Sequence, residues 1–311
     1  MIDTIYLTLE RNKLPKNYLK FLQEIASFEN YGYNKNNQEK LEFWYSGLYI
    51  KLTSRNLRIS GSLTKYAIGN TLMMASKQEL FVAMVKLSNK LKINLFDAIV
   101  TRIDFAANII TKEPVTRYHS IMNNVKRIRR LEQPTALVYW STSRQLQLYD
   151  KMAELGKKNT VKFLHKKHVL RYEVKYLNQQ VICDFLKVEN VNLLTIFANY
   201  SNFVNGWVNA YNSIDKKNEP TFFSDEVFAN KKLLTRQLIR AGIESNGGLI
   251  KMDESIECSK KKGLYDKYPN QPSNIKAWMR KVMNDPKLVS ISNLNAELIS
   301  KIRMLAFYAV H

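Results

Sequence analysis

The chain has 311 residues, enough for one large domain or two smaller ones around a real core. A hydrophobic fraction of 45% excludes a disordered tail protein, and two cysteines, Cys183 and Cys258, make neither a disulfide framework nor a zinc site. Lys and Arg number 48 against 27 acids, a formal net charge of +21 and a pI near 9.7, so the partners to expect are polyanions, nucleic acid first.

A lysine-rich solvated surface accounts for part of that charge, but the excess is larger than such a bias needs. No window approaches about 18 unbroken apolar residues, as a membrane span would need. "MIDTIYLTLERNK" lacks the basic start and long apolar run of a signal peptide. A cytoplasmic protein is expected.

In chain order, "IDTIYLTL" alternates with period two and predicts a strand. "LPKNYLKFLQEIASF" has apolar residues at helical spacing. "LEFWYSGLYIKLTS" and "NLRISGSL" predict a hairpin or meander. "SKQELFVAMVKLSNKLKI" predicts an amphipathic helix, with Ser76 as cap and Glu79 three residues on. "AIVTRIDFAANII" predicts a strand, and "PVTRYHSIMNNV" a helix with a proline in its first turn. "TALVYW", the turn "STSR" and "QLQLYDK" predict a hairpin. A basic loop, "GKKNTVKFLHKKH", leads into the strand "VLRYEVKYL", and "QQVICDFLKV" reads as helical.

Beyond about residue 190 the pattern becomes helical. "VNLLTIFANYSNFVNGWVNAYNSI", "DEVFANKKLLTRQLIRAGI", "SNIKAWMRKVMND" and "NAELISKIRMLAF" all predict helices, and no strand stands out. The fold class expected is α+β: a mainly antiparallel sheet with flanking helices over residues 1–190, then an all-helical accessory region over 191–311 that serves DNA or partner binding. The helix at "VNLL" can also pack back on the sheet, which leaves the boundary soft. Phe197, Phe203 and Trp207 at helical spacing fit a core stripe better than a base-stacking platform.

Three predicted strands set charged groups on one face against apolar groups on the other. In "TRIDFAANI", Arg102 and Asp104 alternate with Ile103 and Phe105. In "QLQLYDK", Gln147, Tyr149 and Lys151 alternate with Leu146 and Leu148. In "LRYEVKYL", Arg171, Glu173 and Lys175 alternate with Leu170, Tyr172 and Val174. Placed side by side, these strands bring two acids, a tyrosine and four bases onto one face.

That set suits phosphodiester chemistry. A tyrosine hydroxyl can attack phosphorus and form a covalent phosphotyrosine. Asp104 and Glu173 are oxygen donors of the kind Mg²⁺ or Mn²⁺ prefers. Lys151 can stabilise the phenolate or the developing phosphorane charge. Arg102 and Arg171 can clamp phosphate oxygens. A sheet with one solvated face shows the same alternation, so the pattern alone does not decide.

These segments resemble, in order and approximate spacing, the gene II/gene X replication initiators of filamentous phages and their plasmid relatives. The resemblance covers most of the first 190 residues: the "MID" start, "GSLTKYAIGN", "TRIDFAANI", "YWSTSRQLQLYDKMAEL" and "LRYEVKYL". It implies a rolling-circle initiator that nicks one strand of supercoiled origin DNA and keeps the 5′ end on a tyrosine. It further implies a 3′-OH left for the host polymerase, rejoining of the displaced strand, and host helicase and polymerase as partners, with no membrane and no small-molecule substrate. Tyr149 matches the nicking tyrosine and Lys151 its companion lysine. Asp104 and Glu173 match the acids of the R-I-D and R-[FY]-E strands.

The histidine–apolar–histidine metal motif of many rolling-circle initiators is missing. His165 and His168 are three apart, which on a strand sets them on opposite faces. The expected metal site is carboxylate-rich, with Glu42 and Asp3 as weak candidates for a third ligand. Lys175, Lys65, Lys126, Arg127, Arg129, Arg130, Lys166 and Lys167 are expected to contact DNA, the four from 126 to 130 on a loop before the hairpin. "GSLTK" either lets a DNA backbone approach or marks a glycine in a twisted sheet. The competing class is a non-enzymatic, sequence-specific DNA-binding regulator of replication. A peripheral membrane protein is disfavoured, because the basic residues do not form one amphipathic helix.

Overall fold

The structure, a computed structural model, describes residues 1–28, 40–156, 167–216, 228–246, 248–285 and 294–310. Its strands are β1 (Ile2–Glu10), β2 (Leu41–Tyr45), β3 (Leu48–Leu52), β4 (Asn56–Ser62), β5 (Ile99–Thr111), β6 (Arg129–Gln133), β7 (Ala136–Trp140), β8 (Arg144–Asp150) and β9 (His168–Tyr176). They form one antiparallel sheet in the order β2-β3-β4-β1-β5-β9-β8-β7-β6. The register explains why it holds. Phe43 faces Ile50, Ile50 faces Ile59 and Ile59 faces Leu7; farther along, Phe105 faces Val174, Val174 faces Leu146 and Leu146 faces Tyr139. All of these side chains are buried, so period-two alternation puts one continuous apolar face on the core.

The helices, in chain order, are α1 (Tyr18–Phe28), α2 (Leu63–Ile68), α3 (Lys77–Leu91), α4 (Val115–Ile121), α5 (Lys151–Leu155), α6 (Gln179–Leu186), α7 (Leu193–Ala198), α8 (Tyr200–Asn212), α9 (Lys231–Ser245), α10 (Gly248–Lys261), α11 (Gln271–Met283) and α12 (Leu294–Val310). α3 starts on the expected capping box of Ser76 and Glu79. Pro114 stands at the cap of α4 rather than inside its first turn. Among the described residues, no helix is long and apolar enough to cross a membrane.

The chain divides into two compact units, Met1–Asn218 with Leu294–His311, and Glu219–Asn293. This differs from a break near 190, and the reason is packing. The aromatic stripe of α8 lies against the sheet: Phe203 stacks on Phe105 at 5.0 Å and Trp207 sits 4.8 Å from Tyr172. A buried large apolar side chain contributes about 1.5–3 kcal/mol, so these rings are core and not a surface for bases. α12 returns to the same unit. Its Glu297 accepts from Tyr118 Oη at 2.6 Å and from Lys112 N at 3.0 Å, while Leu298 and Ile302 are buried.

The second unit is helical in its described residues, with Ile243, Ile256 and Met279 at its centre. Its α10 was not expected from the sequence, because "GLIKMDESIECSKK" places charges all round. β6 was also unexpected, since residues 124–134 read as a loop. Gly61 answers the question of "GSLTK": it has φ +146°, and a Cβ there would meet Gly47 O at 2.8 Å. The close approach is between neighbouring strands. Ser62 then caps α2, accepting from Lys65 N.

Candidate active site

β5, β9 and β8 are adjacent, and their register brings the expected residues together. Asp104 lies opposite Lys175, and Lys175 opposite Gln145. Glu173 lies between Ala106 and Gln147, and Arg171 between Asn108 and Tyr149. These side chains occupy the face away from the core, yet Asp104, Arg171 and Glu173 are themselves buried.

β1 adds a third acid through an irregularity. Ile2 pairs with Phe105 and Thr4 with Asp104, so Asp3 is an extra residue on β1. Such a bulge re-aims a side chain. Asp3 turns onto the polar face, where its Oδ2 lies 2.7 Å from Arg171 Nη2 and its Oδ1 accepts from Ser62 Oγ at 3.1 Å. The signal is in the sequence: the buried residues of β1 are Ile2, Ile5, Leu7 and Leu9, and the alternation slips once, at Asp3 and Thr4.

Tyr149 Oη donates to Glu173 Oε1 at 3.0 Å. Arg171 Nε donates to the same oxygen at 2.6 Å, and Lys175 Nζ reaches Glu173 Oε2 at 3.1 Å. Arg102 makes a two-point contact with Asp104, at 3.0 and 2.7 Å. Arg171 spends its Nη1 on Thr71 O at 3.0 Å and Asn108 Oδ1 at 3.3 Å. With its donors on protein acceptors, Arg171 fixes Asp3 and Glu173 rather than standing free for a phosphate. Arg102, with a side chain 30% exposed, is the guanidinium of the pair that meets solvent.

The electrostatics follow from burial and partners. Burial pushes the Tyr149 phenol well above its ordinary range, Glu173 adds to that and Arg171 opposes it. Burial also raises Asp104, against the pull of Arg102 and Lys175. For Glu173 burial acts upward too, but Arg171 and Lys175 outweigh it and hold the carboxyl below its ordinary value. The ground state is therefore a neutral phenol hydrogen-bonded to an ionised carboxylate.

Lys151 is not where alternation puts it. β8 ends at Asp150, whose side chain accepts from Met152 N at 2.9 Å and Ala153 N at 3.0 Å and so caps α5. Lys151 opens that helix and is buried, with Nζ 2.5 Å from Glu154 and 5.9 Å from the centre of the Tyr149 ring. It lies over the ring and is already paired.

The other expected contacts scatter. Lys65 is exposed on α2, with its stem near Gly47. Lys126 and Arg127 are exposed in the turn before β6. On β6, Arg129 faces Trp140 and shares the site's face, whereas Arg130 pairs with Tyr139 in the core-facing row. Lys167 is exposed just before β9, and Lys166 and His165 lie outside the described residues. His168 lies opposite Thr111, on the parity of Leu170 and Tyr172 and not of Glu173. Glu42 is far across the sheet on β2, bound to Lys40, Lys51 and Tyr49.

Asp3, Asp104 and Glu173 are hard oxygen donors on three adjacent strands, a chemistry that fits Mg²⁺ or Mn²⁺. Their charges are balanced by Arg102, Arg171 and Lys175. Among the described residues no three His, Cys, Asp or Glu side chains are grouped to hold an ion, so an ion here would have to displace a cation from its carboxylate.

No curated protein matches the chain. The family model Phage_CRI, which describes the N-terminal part of the phage replication-associated protein of the gene II type, matches residues 1–202. That span takes in the whole sheet and α1–α7. The chain belongs to this family of replication initiators, proteins that bind origin DNA.

Proposed function

We propose that this initiator nicks one strand of origin DNA with Tyr149 as nucleophile. The observation that carries the reading is the hydrogen bond from Tyr149 Oη to the buried, ionised Glu173. A phenol held neutral needs a base within reach, and Glu173 is that base. Tyr149 Oη attacks the phosphorus as its proton passes to Glu173. The Oη–P bond forms, the P–O3′ bond breaks, and the leaving 3′ oxygen takes the proton back from Glu173. The products are a 5′-phosphotyrosine and a free 3′-OH. Attack by a 3′-OH on the phosphotyrosine reverses the same steps and rejoins the strand.

Arg171 acts as a positioning residue, holding Glu173 against Tyr149. Arg102 and Lys175, nearer to solvent, are placed to receive phosphate oxygens. A divalent ion on Asp104 and Glu173, when bound, would supply Lewis-acid polarisation of the scissile phosphate. In this reading the 3′-OH primes a host polymerase while a host helicase separates the strands.

The test is to trap the adduct. Incubated with a suicide oligonucleotide carrying the origin nick site and ³²P at the scissile phosphate, with Mg²⁺ or Mn²⁺ present, the protein is expected to retain label through denaturing electrophoresis. Peptide mapping should place the label on Tyr149. Binding of the DNA with no adduct under any metal condition would instead make the chain a non-enzymatic regulator.

A further inference from the structure

The face that holds Tyr149 continues across the other half of the sheet, and its make-up there is not that of an ordinary solvated surface. The register sets Trp44 opposite Tyr49, Tyr49 opposite Ser60, Ser60 opposite Tyr6 and Tyr6 opposite Arg102. Five adjacent strands thus carry one transverse row of three aromatic rings and a guanidinium. The rings are not core: Trp44 is 50% and Tyr6 38% exposed. Trp44 and Tyr49 lie 5.3 Å apart, and Arg102 sits 5.1 Å over the Tyr6 ring.

One step along the same strands, Lys51 faces Arg58 and Arg58 faces Thr8. Arg58 is exposed. Between the rings and these cations lies a cleft of about 430 Å³ lined by Tyr6, Thr8, Tyr49, Lys51, Arg58 and Ser60. The row ends at Arg102, which is bound to Asp104 of the Tyr149 site.

We propose that this row is a stacking track for single-stranded DNA running to or from the nick. Open aromatic faces bind bases whose faces are free, and a duplex offers none along its length. Cations beside the rings match the phosphates that accompany the bases, and a chain of net charge +21 supplies the wider field. Four strand spacings of roughly 4.8 Å give a track of about 19 Å. At about 3.4 Å per stacked nucleotide that is about five to six nucleotides, within the roughly 4–16 covered by single-strand-binding folds.

The inference takes its ligand from the nicking reading, but its test does not need Tyr149 to react. Full-length Tyr149→Phe protein is titrated with a fluorescent single strand of about 16 nucleotides and with a blunt duplex of equal length, read by anisotropy. In that background Trp44→Ala and Tyr6→Ala are each expected to weaken single-strand binding about tenfold and duplex binding little. Tyr6→Phe and Trp44→Phe, which keep a ring, should retain affinity, and Trp44→Phe should lose part of the tryptophan quenching seen on binding. Arg58→Gln should lower the salt dependence by about one phosphate contact. Unchanged affinity in folded Trp44→Ala and Tyr6→Ala, equal losses on duplex, or undiminished quenching in Trp44→Phe would each overturn the track. If Tyr149 proved not to be the nucleophile, these titrations would still decide the track by themselves.

Discussion

Glu42 on β2 and Glu173 on β9 lie on the same face of one sheet, and each accepts a hydrogen bond from a tyrosine while pairing with two cations. Glu42 has Tyr49 at 2.6 Å, Lys40 at 2.7 Å and Lys51 at 2.8 Å. Glu173 has Tyr149 at 3.0 Å, Arg171 at 2.6 Å and Lys175 at 3.1 Å. The chemistry of the partners is nearly the same, and the surroundings are not. The Glu42 side chain is 24% exposed near the sheet edge, with lysines as its cations. The Glu173 side chain is 8% exposed in the middle of the sheet, beside an arginine that also binds Asp3 and one residue row from Asp104. A tyrosine beside a neutralised glutamate is therefore not by itself a catalytic arrangement. Burial, a guanidinium fixed at several points and further carboxylates within reach distinguish the second site from the first.

The sharpest way to break this comparison is to remove each hydroxyl. Tyr149→Phe is expected to lower nicking of supercoiled origin plasmid by at least about a thousandfold, because no other nucleophile takes its place. DNA binding should persist. Tyr49→Phe should nick at the wild-type rate. If both variants nicked normally, the Glu173 site would be as inert as the Glu42 site.

Next comes the base. Glu173→Gln keeps the side chain's size but cannot take the phenol proton, and a loss of about 10²–10⁴-fold is expected. Glu42→Gln should leave the rate unchanged. Asp104→Ala should shift the Mg²⁺ or Mn²⁺ titration of nicking to higher concentration, and an unmoved curve would remove Asp104 from any metal role.

Much of this site was legible in the strands. Period-two alternation alone sets Arg102 with Asp104 and Arg171 with Glu173 and Lys175, and the register then makes them neighbours. What alternation misses are the places where the period changes. At Asp150 it switches from strand to helix, because a carboxylate followed by free backbone N–H groups makes a cap, and Lys151 leaves the face. At Asp3 it slips by one residue, which moves a carboxylate from doubtful candidate to partner of Arg171. The edge strand β6 was missed since "RRLEQ" is largely exposed and shows no apolar alternation. The soft boundary near 190 lies later in the structure for a different reason. α8 and α12 are helical by pattern, but only tertiary contacts reveal that they cover the sheet.

The two glutamates should also differ in what they contribute to the fold. Removing one partner of a buried ion pair leaves charge uncompensated and costs about 3–5 kcal/mol, whereas exposed pairs are worth about 0–1 kcal/mol. Arg171 keeps Asp3 when Glu173 is lost, so Glu173→Ala is expected near the lower end, about 3 kcal/mol by denaturant titration. Glu42→Ala should cost no more than about 1 kcal/mol. Equal costs would mean that the two environments differ less than their burial implies.

The smallest effect separates the two halves by pH. His119 on α4 is bonded to the backbone of Leu148 beneath β8, and burial lowers its pKa from 6.5 to about 4, against the upward pull of Glu132 and Asp150. Below pH 6.5 the unfolded chain takes up this proton and the folded chain does not, so the contribution of His119 is full above 6.5 and falls as pH drops toward 4. The loss is at most about 3 kcal/mol. Glu42, near the other edge, is held at about 2 by Lys40, Lys51 and Tyr49 and loses its contribution only between pH 4.5 and about 2. The buried Met1 amino group, lowered from 8.0 to about 5, adds a loss of its own above pH 5, so denaturant titrations in steps from pH 7 to 3 should show a decline that steepens below 6.5. In His119→Gln that steepening should vanish, whatever constant cost the substitution carries, while the share of the Met1 amino group and the loss below pH 4.5 remain. In Glu42→Gln the steepening should stay and the acid loss should shrink. A His119→Gln profile with the same slope above pH 4.5 as the wild type would place the titrating group elsewhere and remove this difference between the two halves of the sheet.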